Sequence, residues 1–232
     1  MSVRHPEYVA PESVTSTNLT KETLTDSDGR FEWTDGTGDV LNIETITKEG
    51  YRISPKTGLN YGVASGSFEN PVIFKMWKLG ESQKLISHSL SRVGIPVDGQ
   101  PVQFDLFGGL KVPSAGQLII RFERDPQILS SGDSRYGWTA EIEIPNGGLI
   151  VSNDEFMYEA PESGYQEFFK VEMSKTADGW KSTLDQSFYI QLENGKYFGT
   201  LTVHLLTFHS PPPIVLNLDM TINPNGSRNL QP

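Results

Sequence analysis

Along IVLNLDMTIN, near the end of the chain, Ile214, Leu216, Leu218, Met220 and Ile222 alternate without a fault with Val215, Asn217, Asp219 and Thr221. A period of two is what a half-buried strand imposes, because successive side chains leave opposite faces. WTAEIEI repeats the pattern, with Trp138, Ala140, Ile142 and Ile144 on one face and Thr139, Glu141 and Glu143 on the other. PVQFDLF, GQLIIRFERDP and GGLIVS are short runs rich in β-branched and aromatic residues, bounded by Gly, Pro or Asn, and predict further strands. SFYIQL and YFGTLTVHLLTF flank ENGK, where Asn194 and Gly195 form the pair a type I′ hairpin turn requires. ESQKLISHSLSRV fits a helical face through Leu85, Ile86, Leu90 and Val93 almost as well as a strand, and its polarity favours the strand.

Upstream the pattern is weaker. VIFKMWKL alternates over Val72 to Lys78, and RFEW, DVLNIETI and KEGYRI are short strand-like runs split by Gly and Asp. The residues up to LTKETL are polar and without apolar period, which predicts a mobile arm. No regular internal repeat is visible. The expected organisation is all-β: an arm over 1–24, a short β portion over 25–80, and a larger antiparallel β-sandwich or jelly roll over 81–232.

Composition narrows the function classes. The chain has 232 residues and a formal net charge of -10, from 29 acidic and 19 basic residues, so its field repels a phosphate backbone and nucleic acid is not an expected partner. It has no cysteine, which excludes disulfides, thiolate metal sites and cysteine nucleophiles. No apolar run is long enough for a membrane-spanning helix, and MSVRHPEYVAPES lacks the residue order of a signal peptide, as a chain whose signal had been removed also would.

TDSDGRF is the most motif-like stretch. Aligned with a calcium loop through Gly29, it places Asp26 and Asp28 at ligand positions but Leu24 at the first and Asp35 at the last, so the first ligand is missing. A tight turn at Asp28 and Gly29, with Asp26 bonding its own backbone, is the expectation. His5, His88, His204 and His209 show no metal-binding spacing, and GVASG places Ala64 where a hydrolase elbow needs serine. No metal or cofactor is expected. Acidic pairs such as Asp154 with Glu155, or Glu159 with Glu162, fit a solvated loop better than the facing carboxylates of a glycosidase. Trp138, Tyr158, Tyr165 and Trp180, beside Asn153, Asp154 and Glu155, match the makings of a sugar-binding face, where a ring stacks on a pyranose and polar groups take its hydroxyls. The tryptophans equally suit the sandwich core. INPNGSRNLQP reads as a turn at Asn225 and Gly226, with Arg228 able to pair with a carboxylate on the sandwich.

TDSDGRFEW, followed by a short β run and ITKEGY, resembles the closing half of the carboxypeptidase regulatory-like, or transthyretin-like, β-sandwich over roughly Thr25 to Ile53. WTAEIEIPNGGLIVSNDEFMYEAPESGY and INPNGSRNL are similar to stretches of bacterial secreted or envelope proteins that couple such a domain to a second β domain. The resemblance implies an extracytoplasmic β protein and brings no catalytic residue. The expected function is a non-catalytic binding or accessory module for neutral polysaccharide, with Tyr158, Tyr165, Trp138, Trp180, Asp154 and Glu155 as ligand-binding residues. Its rivals are a structural or assembly domain of a larger surface protein and a polysaccharide-active hydrolase or lyase.

Overall fold

The computed structural model describes residues 2–10, 13–32, 40–54, 60–62, 69–125, 135–208 and 213–232, and among these the protein is all-β. The chain divides into two compact units, Met1–Gly80 and Glu81–Pro232.

In the first unit, β1 (Ser2–Ala10), β2 (Ser13–Thr20), β3 (Val40–Asn42) and β5 (Asn60–Gly62) form a four-stranded sheet in the order β2-β1-β3-β5. A second ribbon pairs β4 (Tyr51–Ile53) with β6 (Met76–Lys78). Residues expected to be an arm are therefore paired strands. SVTSTNLT carries β-branched Val14, Thr15, Thr17 and Thr20 but is mostly polar, with Val14 and Leu19 out of phase, so it suits a strand while giving no apolar alternation. The alternation of VIFKMWKL yields only the three residues of β6; Phe74 stacks instead on Phe31, ring centroids 6.1 Å apart. TDSDGRF is a turn: the Asp26 carboxylate accepts from the Asp28 and Arg30 amides, both at 2.9 Å, and Gly29 has φ +77°. Among the described residues no strand flanks it directly. The GVASG glycine-alanine stretch beyond Gly62 and His209 lie outside the described residues.

The second unit is a sandwich of two antiparallel five-stranded sheets. One has the order β13-β11-β10-β8-β9, built from β8 (Val102–Asp105), β9 (Leu110–Val112), β10 (Leu118–Arg124), β11 (Trp138–Glu143) and β13 (Phe168–Met173). The other has the order β12-β14-β15-β16-β7, from β7 (Ile86–Ile95), β12 (Gly148–Ser152), β14 (Thr183–Leu192), β15 (Tyr197–Leu206) and β16 (Ile214–Asn223). The ambiguous segment is thus the strand β7. It carries a bulge where Arg92, at φ +56°, donates its amide to Asn217 Oδ1 at 2.8 Å.

The main core fills the space between the sheets. Phe104, Leu118, Ile120, Phe122, Trp138, Ala140 and Ile142 from one sheet meet Phe188, Ile190, Leu201, Val203, Leu216 and Leu218 from the other. Both sets obey the period of two seen in the sequence. The β14–β15 hairpin keeps the Asn194–Gly195 turn, with φ +56° and +95° and the Lys196 amide on Glu193 O at 3.3 Å. The loop is longer than two residues, because Glu193 also adopts φ +49° and the last strand pair is Leu192 with Tyr197. A short 3₁₀ turn over Glu193–Gly195 results.

Candidate functional site

The outer face of the second sheet is divided between a polar and an apolar region. On the polar region, cross-strand hydroxyls and acids satisfy one another: Ser87 with Thr221 at 3.1 Å, Ser187 with Thr202 at 3.1 Å, Ser89 on Asp219, and His204 Nδ1 with the Asp185 carboxylate. On the opposite, inward face, His88 sits across from Met220 and bonds the Phe107 carbonyl of the β8–β9 turn at 2.9 Å. Among the described residues no group of three or more His, Cys, Asp or Glu is placed to hold a metal ion.

The apolar region holds a second, smaller core. Tyr189 and Phe198 point outward from β14 and β15, and Ala160 and Leu230 cover them, with Ile150, Met157 and Tyr165 packed at the margin. The cover consists of the segment 153–167, which runs from β12 to β13, and the carboxy-terminal segment 224–231. These two segments pair in a short antiparallel bridge: the Ala160 amide donates to Arg228 O at 2.9 Å and the Leu230 amide to Tyr158 O at 2.8 Å. Arg228 completes the clasp, donating to Ala160 O at 2.8 Å and to Glu162 Oε1 at 2.9 Å, with Glu159 at 3.9 Å. The tail is itself turned by Asn223, whose Oδ1 accepts from the Asn225 amide at 2.9 Å and whose Nδ2 donates to Asn229 O at 2.7 Å.

Tyrosines tie the cover to the sheet. Tyr165 Oη donates to Pro161 O at 3.0 Å, and Tyr189 Oη donates to Asp154 Oδ2 at 3.1 Å. Burial raises the Tyr165 phenol to about 12 against a small opposing pull from Arg228. The Tyr189 phenol is raised by burial first and by the Asp154 charge second. Both phenols are neutral donors at physiological pH. At the surface of the same loop, Phe156 and Tyr158 are half-buried neighbours with centroids 5.8 Å apart and planes inclined by 49°. Asp154 is exposed and Glu155 half-buried beside them.

The six residues singled out from sequence are thus separated. Tyr158, Tyr165, Asp154 and Glu155 share one loop. Trp138 and Trp180 do not join them: Trp138 is 3% exposed in the main core with Nε1 donating to Lys181 O at 2.9 Å. Trp180 packs at 5.2 Å edge-on to Tyr136 and donates to its carbonyl at 2.8 Å. The Trp138 ring is buried in packing with its N–H satisfied by backbone, so it presents no stacking face for a sugar, while the half-buried Trp180 also gives its N–H to backbone. Tyr189 was not singled out. It shares its strand phase with Ser187 and Gln191, opposite to Phe188, Ile190 and Leu192, so its outward direction is readable from the alternation.

The fold defines an antiparallel β-sandwich protein with a loop-and-tail clasp on one outer face. Compared with protein-family models, with curated proteins and with solved structures, the chain matches none. No helix among the described residues is long and apolar enough to cross a membrane.

Proposed function

We propose that the protein is a non-catalytic, extracytoplasmic binding module for neutral polysaccharide, and that the contact surface is the clasped loop at Asp154, Glu155, Phe156 and Tyr158. The observation that carries this reading is the clasp itself. A segment without regular structure is fixed at both ends by Tyr189 and Arg228, so that two half-exposed rings and two carboxylates are held together before any ligand arrives. Fixing the loop in advance removes part of the ordering cost of binding. The rings offer apolar faces to a pyranose and the carboxylates accept its hydroxyls. The roles within the original set differ: Tyr158 is a contact residue, whereas Tyr165 is a positioning residue. A net charge of -10 disfavours sulfated or uronic polymers.

The hydrolase alternative needs carboxylates facing each other across a sugar. Here Glu159 and Glu162 converge on Arg228 instead. A structural or assembly domain is the second reading, favoured by the commitment of Trp138 and Trp180 to packing. Calorimetry or affinity electrophoresis against neutral and anionic polysaccharides distinguishes them. Tyr158→Ala should weaken binding to a neutral polymer about tenfold with folding intact, while Tyr165→Phe changes it little. Retention by no neutral polymer, or binding indifferent to Tyr158, leaves the structural reading in place.

A further inference from the structure

We propose that the protein forms a two-fold dimer by pairing the edge strand β13 with β13 of a second copy, centred on Val171, which joins the two five-stranded sheets into one of ten strands. Among the described residues β13 is the last strand of its sheet, bonded to β11 on one side only. Such an edge presents unpaired N–H and C=O groups in the spacing a further strand needs.

The order of side chains selects the partner and the register. In an antiparallel pair, directly opposed residues share a face. On the outer face β13 carries Phe168, Lys170 and Glu172, and on the core side Phe169, Val171 and Met173. A two-fold axis at Val171 sets each Lys170 opposite the second copy's Glu172, and each Phe169 opposite the second copy's Met173. Since Lys170 Nζ already lies 2.5 Å from Glu172 of its own strand, the dimer would hold four charges in alternating order. Moving the axis to Lys170 opposes two lysines and sets Phe168 against Glu172. Moving it to Glu172 opposes two glutamates. Only the Val171 register is electrostatically self-complementary, which is the property a two-fold interface requires.

Exposed apolar groups lie on the same side of the sandwich. Phe168 is 57% exposed at the start of β13, and Val151 is 44% exposed on β12, the edge strand of the other sheet. The two edges are close, since Gln166, two residues before β13, forms a bridge with Leu149 of β12. Lysine on an edge commonly discourages pairing. A neighbouring glutamate two residues on converts that guard into a selective contact, because it repels a slipped register and accepts the one centred on Val171.

Sedimentation velocity of the full chain across a concentration series tests the proposal, with hydrogen exchange following the Lys170 and Glu172 amides, which face the edge while those of Phe169, Val171 and Met173 face β11. The expected result is a reversible dimer that weakens as salt is raised and protects the Lys170 and Glu172 amides as concentration rises. Glu172→Lys and Lys170→Glu should each raise the dimer dissociation constant at least tenfold by opposing like charges. The double variant K170E/E172K, which restores opposite charges across the axis, should recover dimerisation. Thermal unfolding of each variant at a dilution where all are monomeric checks that the sandwich is intact. A chain that stays monomeric at its highest soluble concentration overturns the proposal. So does a dimer indifferent to the single charge reversals, or one that the double reversal does not restore. Polysaccharide affinity at high dilution is read separately, because the clasped loop and β13 use different residues.

Discussion

The two cores of the sandwich unit are built by opposite means. The main core lies between two sheets whose inward positions were set by simple alternation, so each buried side chain is supported by its strand neighbours. The small outer core takes Tyr189, Phe198 and, at its margin, Ile150 from strands. Ala160 and Leu230 reach it from irregular segments seventy positions apart in sequence, Arg228 meeting Ala160 through two hydrogen bonds and Leu230 meeting Tyr158 through one. A core made by periodicity tolerates small changes because many contacts share the load. One made by a clasp depends on a few specific polar bonds, and that is where exposed rings and carboxylates are held.

The sharpest test of this contrast is a pair of truncations. Phe122→Ala, at a fully buried position between the sheets, should cost about 3–5 kcal/mol of unfolding free energy. Leu230→Ala should cost about 2 kcal/mol, at the lower end of the range for a buried leucine, because a tail segment can settle into the space left. Urea unfolding measures both. Hydrogen exchange should show the Leu230 variant opening the Ala160 and Leu230 amides while those of β11 keep their protection. Equal losses, or global opening in both variants, would mean that the outer core is part of the main one.

A smaller effect is expected at the hairpin end of the sheet that both cores share. Gly195→Val should destabilise by about 1 kcal/mol, because φ +95° lies where a β-branched residue is strained. The nearest atom to an added Cβ is the Gln191 side-chain amide at 2.4 Å, which can rotate away, so backbone strain rather than collision sets the cost. Asn194 also donates its amide to Asn146 O at 2.6 Å, which joins this turn to the one between β11 and β12. Thermal unfolding unchanged from the parent would show that the turn relaxes into negative φ without loss.

How far these features could be read in advance follows the same division. Burial of Trp138, Ala140, Ile142 and Ile144 on one face was legible because a strand phase needs no knowledge of its partner. Trp138 shares that phase, so its place in the core was legible too, and treating it as a ring for ligand went against its own strand. The pairing of Ser2–Ala10 with Ser13–Thr20 was hidden because the few apolar residues of SVRHPEYVA and SVTSTNLT, such as Val3 and Tyr8 or Val14 and Leu19, do not recur at a period of two, so alternation carries no signal. The clasp was hidden for a different reason. That Tyr165 packs against the outer core while the Tyr158 carbonyl takes the Leu230 amide depends on Arg228 and Leu230 arriving from the end of the chain, and nothing in NDEFMYEAPESGY records their approach. Only the capacity of Arg228 to meet a carboxylate was readable, and it meets Glu162.

The smallest effect, absent at neutral pH, probes the clasp through its two phenols. Tyr165 ionises at about 12 in the folded protein against 10.0 for an exposed tyrosine, and Tyr189 is displaced in the same direction, both chiefly because burial disfavours the phenolate. A group whose folded value is raised keeps its proton longer when folded, so the unfolded chain releases protons first as pH climbs. The stability these phenols support is therefore complete below pH 10 and declines as pH rises through about 12. Unfolding midpoints measured from pH 8 to 12 should fall across the upper half of that range in the parent protein. In Tyr165→Phe the fall should be shallower, since phenylalanine keeps the ring on Phe198 and removes the ionisation. Tyr189→Phe should also flatten it, at the added cost of the bond to Asp154. Because the main core contains Tyr136, whose phenol is likewise raised by burial, Tyr136→Phe is the control. If that variant alone removes the alkaline loss, the small core was never closed over its tyrosines, and the clasp is open in solution.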